Sequence, residues 1–334
     1  MSEAIPNEDE WPEQQLREMS DAMRWAMPRD FGGDDLDPLE LHLRYEQLAR
    51  RSLPPALLLT QRDSAVGIIA GSTNRATRDR LLAEIRDGVF VSVSLAHLTT
   101  SRQRGAPALT ATRVGADYRL DGYAPWASGA AKARYVVAAT ALEDRTQMLF
   151  VLPTAQAGVT VEPPMPLVSM RSTWTSEVRC DGVVLPGEFV LAGPMHNVLS
   201  TRRKSVPLPQ AFLAMGHARG AIDLIAQHDS ERGRSLGDRF TSQLDALHAE
   251  VVTACGPDAT PAEIPRLRGE CTDLALRITH AAVALYKGNA LLPWHPAQRL
   301  AREALFLLVW SCPDAVIDCT VDLLSESKRS SPPR

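Results

Sequence analysis

The hydrophobic pattern of this chain changes period twice, and that double switch limits the folds open to it. Residues 11–87 repeat apolar side chains at helical intervals. "DPLELHLRYEQLARR" follows a proline and carries Leu39, Leu43 and Leu48, while "RATRDRLLAEIRDG" is a shorter helix closed by Gly88. Over residues 89–193 the period falls to two. "VFVSVSL" sets Phe90, Ser92 and Ser94 against Val91, Val93 and Leu95. "DYRLDGY", "ARYVVAAT", "QMLFVLP", "GVTVEP" and "SEVRCDGVVLP" follow, separated by Gly, Pro and Asp. Short strands at such regular spacing predict an antiparallel sandwich or barrel. From Leu208 the helical period returns. Ala214, Ala218, Ala221, Ile222 and Ile225 form one stripe, and Leu267, Cys271, Leu274, Ile278, Ala281 and Leu285 form a seam of the kind found in antiparallel bundles. "TSQLDALHAEVV", "PAQRLAREALFLLVW" and "AVIDCTVDLLSESK" supply further helices. The expected fold is α+β, with an N-terminal α-helical domain at 1–88, a middle antiparallel β-domain at 89–200 and a C-terminal antiparallel helical bundle at 201–334.

Charge and composition narrow the function. A net charge of −4 over 334 residues offers no footprint for nucleic acid or an anionic membrane. No apolar run approaches the ~20 residues of a membrane span, and the acidic N-terminus "MSEAIPNEDEWPEQQ" has no signal-peptide pattern. Cys180, Cys255, Cys271, Cys312 and Cys319 are scattered without metal spacing, so reduced thiols and a cytoplasmic location are expected. His97, His217 and His280 stand alone in unrelated segments and read as structural. Arg299 and Arg302 share a helix face and read as partners for Glu303 or another acid.

Two local phrases ask for an explanation. In "LDGYAPWASGA", Asp121-Gly122 suits a tight turn, and Trp126 is then set among Ala127, Ser128, Gly129, Ala130 and Ala131. The plain reading is a core or interface tryptophan; the alternative is a platform for a large flat partner. In "SCPD", Ser311 reads as an N-cap, Pro313 lies in the first turn and Asp314 completes a capping box.

The order of zones and four phrases along it resemble the acyl-CoA dehydrogenase family of flavoproteins. The phrases are "MPRDFGG", "LDGYAPWASGAAKARYVV", "LVSMRSTWTSEVRCDGVVLPGEFVL" and "YKGNALLPWHPAQRLAREA", and the similarity runs over nearly the whole chain. The resemblance implies FAD held between strand domain and bundle in a homodimer or homotetramer. It also implies a small-molecule substrate such as an acyl-CoA, with no nucleic-acid or membrane partner. Trp126 matches the tryptophan that packs on the isoalloxazine, and Ser128 the hydroxyl beside it. Thr99, in "HLTTSRQRG", stands where the family has a threonine near the flavin's reactive edge, and Ser101 would be its neighbour there. Arg232 matches an arginine that reaches the neighbour's FAD pyrophosphate, although Leu236 replaces the phenylalanine of that motif. His295 lies close to the family's substrate end.

An indole matches a flavin in area and stacking geometry, and an arginine fork suits a pyrophosphate. Small residues beside the indole would let the backbone approach and donate N–H groups to the ring. Removing the α-proton of a thioester, however, needs a buried carboxylate. The two positions where the family carries its glutamate fall here on Ser311 and Gln210, so no catalytic base is identifiable. The expected function is FAD-dependent oxidation of a CH–CH group in an acyl thioester or related small molecule. A flavin-dependent monooxygenase of the same fold, or a degenerate scaffold, are the alternatives.

Overall fold

The computed structural model describes residues 8–99, 107–201, 205–257 and 260–325, with the side chains of His97 and Thr99 outside the description. Helices come first: α1 (Glu13–Glu18), α2 (Pro38–Arg51), α3 (Leu53–Ala70) and α4 (Arg75–Arg86). The middle of the chain holds β1 (Val91–Ser94), α5 (Ala96–Thr99), β2 (Leu109–Val114), β3 (Asp117–Ala127), β4 (Tyr135–Leu142), β5 (Gln147–Pro153), β6 (Val159–Val161), β7 (Ser176–Leu185) and β8 (Val190–Met195). Helices close it: α6 (Pro209–Ala226), α7 (Glu231–Thr253), α8 (Glu263–Tyr286), α9 (Pro296–Leu307) and α10 (Asp314–Ser325). The order of helices, sheet and helices is the one expected from the periodicity. The chain divides into two compact units, one of residues 1–41 and 54–205, the other of residues 42–53 and 206–334.

In the first unit, eight strands make one sheet in the order β6-β7-β3-β2-β4-β5-β8, with β1 paired to β4 off this path. Five ladders are antiparallel, but β1 and β2 both run parallel to β4, along successive stretches of it. The sheet is therefore mixed at its centre. Both faces of β4 and β5 are buried, and the two-residue period sorts their side chains cleanly. Tyr135, Val137, Ala139, Leu149 and Val151 pack with Ile69 of α3 and Leu82 of α4. Val136, Ala138, Met148, Phe150 and Leu152 point the other way, into a core shared with Leu120 of β3 and Val178 of β7. That shared core shows the sheet folding over on itself. Each fully buried Phe or Leu there contributes roughly 2 kcal/mol. Asn74 caps α4 by accepting from the Thr77 N–H, and Gly88, at φ 100°, ends the segment as expected.

In the second unit, α6 is the central helix. Its stripe of Ala214, Ala218, Ala221, Ile222 and Ile225 is buried as expected, and so is the α8 seam except Ala281, which is half-buried. The later part of α2 lies against α6 at two glycines. A Cβ on Gly216 would stand 2.1 Å from the Glu46 carbonyl oxygen, and one on Gly220 2.5 Å from that of Arg50. Only glycine allows the two backbones to approach so closely. The same contact carries charge pairs: Arg50 binds Asp223 through two bonds of 2.7 and 2.8 Å, and the buried Glu46 accepts from Arg219 at 2.9 Å and sits 3.0 Å from His248. The buried face of α2 therefore holds His42 and Glu46 beside Tyr45, Leu48 and Ala49, whereas Leu39 and Leu43 are only half-buried.

Candidate functional site

β3 lengthens by one residue between Ala124 and Ala127, where the register against β7 shifts from Val178 to Ser176. Trp126 sits in that bulge at φ 58°, a left-handed conformation that a bulky side chain adopts only when its surroundings impose it. The surroundings are visible. Ser94 of β1 donates its hydroxyl to the Pro125 carbonyl, and Ser92 donates to the Ser128 carbonyl. Both serines are buried, so the alternation of "VFVSVSL" separates two buried faces rather than a wet face from a dry one. Held this way, the Trp126 indole remains 50% exposed while Ala124 and Ala127 on either side are fully buried.

The small neighbours of Trp126 have a different reason from the one expected. Ala127 and Ala130 fill the sheet core, and the Gly129 N–H donates to the Thr173 carbonyl at 2.8 Å. A Cβ on Gly129, which has φ 71°, would lie 2.9 Å from the Trp11 ring. Trp11 also meets Phe90 edge-on at 5.6 Å and Trp174 at 5.8 Å. The Trp174 indole N–H donates to the Asp9 carbonyl, and Arg171 ion-pairs with the Asp9 carboxylate. The segment ahead of α1 is thus fastened to the back of the Trp126 turn. Behind Ser128 run Thr175 and Thr173, all three buried and in hydroxyl contact.

The remaining expected residues separate into three cases. The Thr99 backbone ends α5, but its side chain and the whole of Ser101 lie outside the described residues. Arg232 is exposed in the first turn of α7, two residues after Ser230, which caps the helix by accepting from the Gly233 N–H. Gln210 is half-buried in the first turn of α6, and Ser311 lies between α9 and α10.

Ser311 is not an N-cap. α10 begins at Asp314, and Pro313 directly before it accepts from the Val316 and Ile317 N–H groups. Ser311 takes φ 51° instead, because its carbonyl is drawn to Arg268 of α8. That guanidinium is almost fully buried. It donates to the carbonyls of Trp310 and Ser311 and contacts the Cys312 Sγ at 3.5 Å. No carboxylate pairs with it among the described residues, and burial pulls its pKa below the ordinary value. Asp314, the acid nearest Ser311 in sequence, is exposed.

The comparisons with known proteins follow from this geometry. No family model matches the chain. The probable acyl-CoA dehydrogenase fadE25 of Mycobacterium leprae is 22% identical over 303 residues, covering 83% of this chain and 78% of that one. A glutaryl-CoA dehydrogenase from Mycobacterium smegmatis in complex with FADH2 superposes with a TM-score of 0.79 at 17% identity, over 97% of this chain and 91% of that one. This is the acyl-CoA dehydrogenase fold. A 3-HSA hydroxylase from Rhodococcus sp. RHA1 has it too, with a TM-score of 0.74 at 18% identity over 95% and 89% of the two chains. The acyl-CoA dehydrogenase fold therefore carries more than one chemistry, and residues have to choose between them.

The second unit also contains a buried pair. His217 of α6 places Nδ1 3.8 Å from Glu303 Oε2 of α9, while its Nε2 bonds the Leu300 carbonyl at 2.8 Å. Arg299 donates to the other Glu303 oxygen at 3.2 Å, the partnership expected for it. Burial lowers the His217 pKa. His295 caps α9 by accepting from the Ala297 N–H, and its ring lies 4.5 Å from that of Tyr286. All five cysteines are free, and burial pushes the Cys180 thiol up to about 12, which makes it unreactive. Among the described residues no cluster of metal-ligating side chains exists, and no helix is long and apolar enough to cross a membrane.

Sequence reading missed Ser92, Ser94, Thr173, Thr175, Trp11 and Arg268. Period-two alternation pointed to the serines but could not say that both faces of β1 are covered.

Proposed function

We propose that this chain is an FAD-dependent oxidoreductase of the acyl-CoA dehydrogenase-like type. It would act on the CH–CH group of an acyl thioester or a related small molecule. One observation carries the reading: the Trp126 indole is half exposed, at positive φ, with Ser94 and Ser92 fixing the carbonyls of Pro125 and Ser128. A core tryptophan would be covered, and a casual surface one would not be held by buried hydroxyls in a left-handed conformation. The ring is rigid, flat and open, which suits an isoalloxazine. Trp126 and Ser128 would hold the ring system; Thr99, Ser101 and Arg232 remain the proposed contacts to its edge and pyrophosphate. Bound flavin would supply the hydride acceptor.

A second reading is favoured by the residues at the two glutamate positions. Gln210 and Ser311 offer no carboxylate, and the turn around Ser311 is organised by a buried cation instead. A flavin-dependent monooxygenase of the same fold needs no base there. A scaffold without flavin is the third outcome. The exposed apolar stripe Ile317, Val321 and Leu324 on α10 supports assembly as a homodimer or homotetramer. The five free thiols support a cytoplasmic site of action.

Visible spectra of the purified protein with and without added FAD test the reading. Uptake of FAD supports it, and a colourless protein that takes up none overturns both enzyme readings. Anaerobic bleaching by acyl-CoAs identifies the dehydrogenase, whereas oxygen consumption coupled to substrate hydroxylation identifies the monooxygenase. Trp126→Ala should weaken FAD binding about three- to tenfold, the value of one aromatic stack.

A further inference from the structure

His217 and Glu303 face each other inside the second unit without a hydrogen bond between them. The Leu300 carbonyl can only accept, so the His217 Nε2 that bonds it at 2.8 Å carries the hydrogen of the neutral ring. Nδ1 is then a bare lone pair. Opposite it, at 3.8 Å, lies Glu303 Oε2, while Oε1 of the same carboxylate accepts from Arg299 at 3.2 Å. Nδ1 and Oε2 are both wholly buried, and neither has a hydrogen-bond partner among the described residues. Buried acceptors are seldom left so, and two that face each other make a slot for one proton. Turning side chains does not close the slot. The ring is pinned through Nε2 and the carboxylate through Oε1, so rotating either would break a bond already made. A proton on the pair makes a charge-assisted bond, which favours about 2.8 Å, so about 1 Å has to come from the helices.

We propose that His217 and Glu303 form an acid-driven clamp between α6 and α9, in which a proton taken up at His217 draws Glu303 in and α9 pivots on its Leu300 contact. The charges that act on the ring are Glu303 and Arg299, both of α9. On α2, His42 lies against Tyr45 and Phe212, and Glu46 is taken by Arg219 and His248. Asp245 of α7 also binds Arg219, and on α8 Asp273 binds Arg277 while Arg268 is spent on the Ser311 turn. Burial resists the charged ring, so the clamp is open at neutral pH and closes only below about pH 6.5. Glu303 follows Leu300 in α9, so the C-terminal end of the helix travels further than its N-terminal end. That end leads to Trp310 and the Ser311 turn, which Arg268 holds to α8. Closure therefore pulls on a turn that is fixed from beneath.

The test uses the full chain labelled with fluorotryptophan and nitrogen-labelled histidine, with no flavin added. Trp294 and Trp310 bracket α9, and their fluorine resonances are assigned with Trp294→Phe and Trp310→Phe. Between pH 8 and 5 the Trp310 resonance is expected to shift with the same midpoint as the His217 ring nitrogens, and the Trp294 resonance to shift less. Glu303→Gln keeps an oxygen for Arg299 and brings an amide N–H to Nδ1 at every pH. Its Trp310 resonance should already stand at the wild type's acid position at pH 8 and stay there on titration. If that variant fails to fold, His217→Gln replaces it, and the pH-dependent shift of Trp310 should be lost. A Trp310 resonance that ignores the His217 midpoint overturns the clamp. So does a ring hydrogen found on Nδ1 rather than Nε2 at pH 8, or a folded Glu303→Gln that keeps the wild type's neutral position.

Discussion

At the Trp126 turn, uncharged hydroxyls from β1 fix the backbone and leave one aromatic ring open. At the Ser311 turn, a buried guanidinium fixes the backbone, and the side chain presented is a small hydroxyl. Both turns are forced into left-handed conformations, at φ 58° and 51°, and both are held through their carbonyls. The difference is in what the holding costs. Neutral hydroxyls bonded to carbonyls lose little on burial. A cation without a carboxylate partner loses much solvation, which only the loop's carbonyls offset. The first turn is built to present a surface, and the second is built around the charge beneath it.

Breaking the second turn should therefore have the largest effect. Arg268→Ala leaves the Trp310 and Ser311 carbonyls without their donor and is expected to cost about 3 kcal/mol in urea unfolding. An unchanged midpoint would show that the cation does not organise the turn. The same unit holds a second spent charge, and it sharpens the contrast by pH. The folded pKa of His217 is lowered by burial against an unfolded value near 6.5, so the unfolded chain binds more protons just below that pH. Stability is complete above about pH 6.5 and falls as the pH drops below it, by at most about 1.4 kcal/mol per unit. Glu303 and Arg299 face the same ring and act in opposite senses. Thermal melts from pH 8 to 5 should show this slope, and His217→Gln should flatten it.

Smaller effects are expected at the first turn. Ser94→Ala and Ser92→Ala each remove one neutral hydrogen bond and should cost about 1 kcal/mol, with a parallel loss of FAD retention. Loss of stability without loss of FAD would separate the turn from the flavin. The smallest change is at Ser311. Ser311→Gly suits φ 51° and should gain about 0.5 to 1 kcal/mol. Ser311→Glu places a carboxylate above Arg268; acyl-CoA-dependent bleaching that appears only in this variant would identify the missing base as the reason for wild-type inactivity.

The fold was legible because period carries it: the switch from helical spacing to alternation and back marks the helices, the sheet and the bundle. Periodicity could not reveal the two parallel ladders on β4, since strand direction depends on partners distant in sequence. Trp126 stood out because an indole among alanines and glycine is unusual, yet the reason for the small residues lay inside the core rather than toward a ligand. Ser311 resembled an N-cap by its neighbours, but Pro313 took that position once Arg268 had captured the loop. Arg268 itself is one arginine in a helix rich in them, and only burial distinguishes it. His42 and Glu46 were hidden in the same way, as polar residues on a face where leucines were expected.

The contact between Trp11 and Gly129 has an evolutionary consequence. The two residues are more than a hundred positions apart, yet neither can change freely. A side chain at Gly129 requires a smaller ring at position 11, and the φ of 71° with the Phe90 ring 3.0 Å from such a Cβ holds the position to glycine further. Related sequences that keep Trp11 should therefore keep a glycine immediately after the residue matching Ser128.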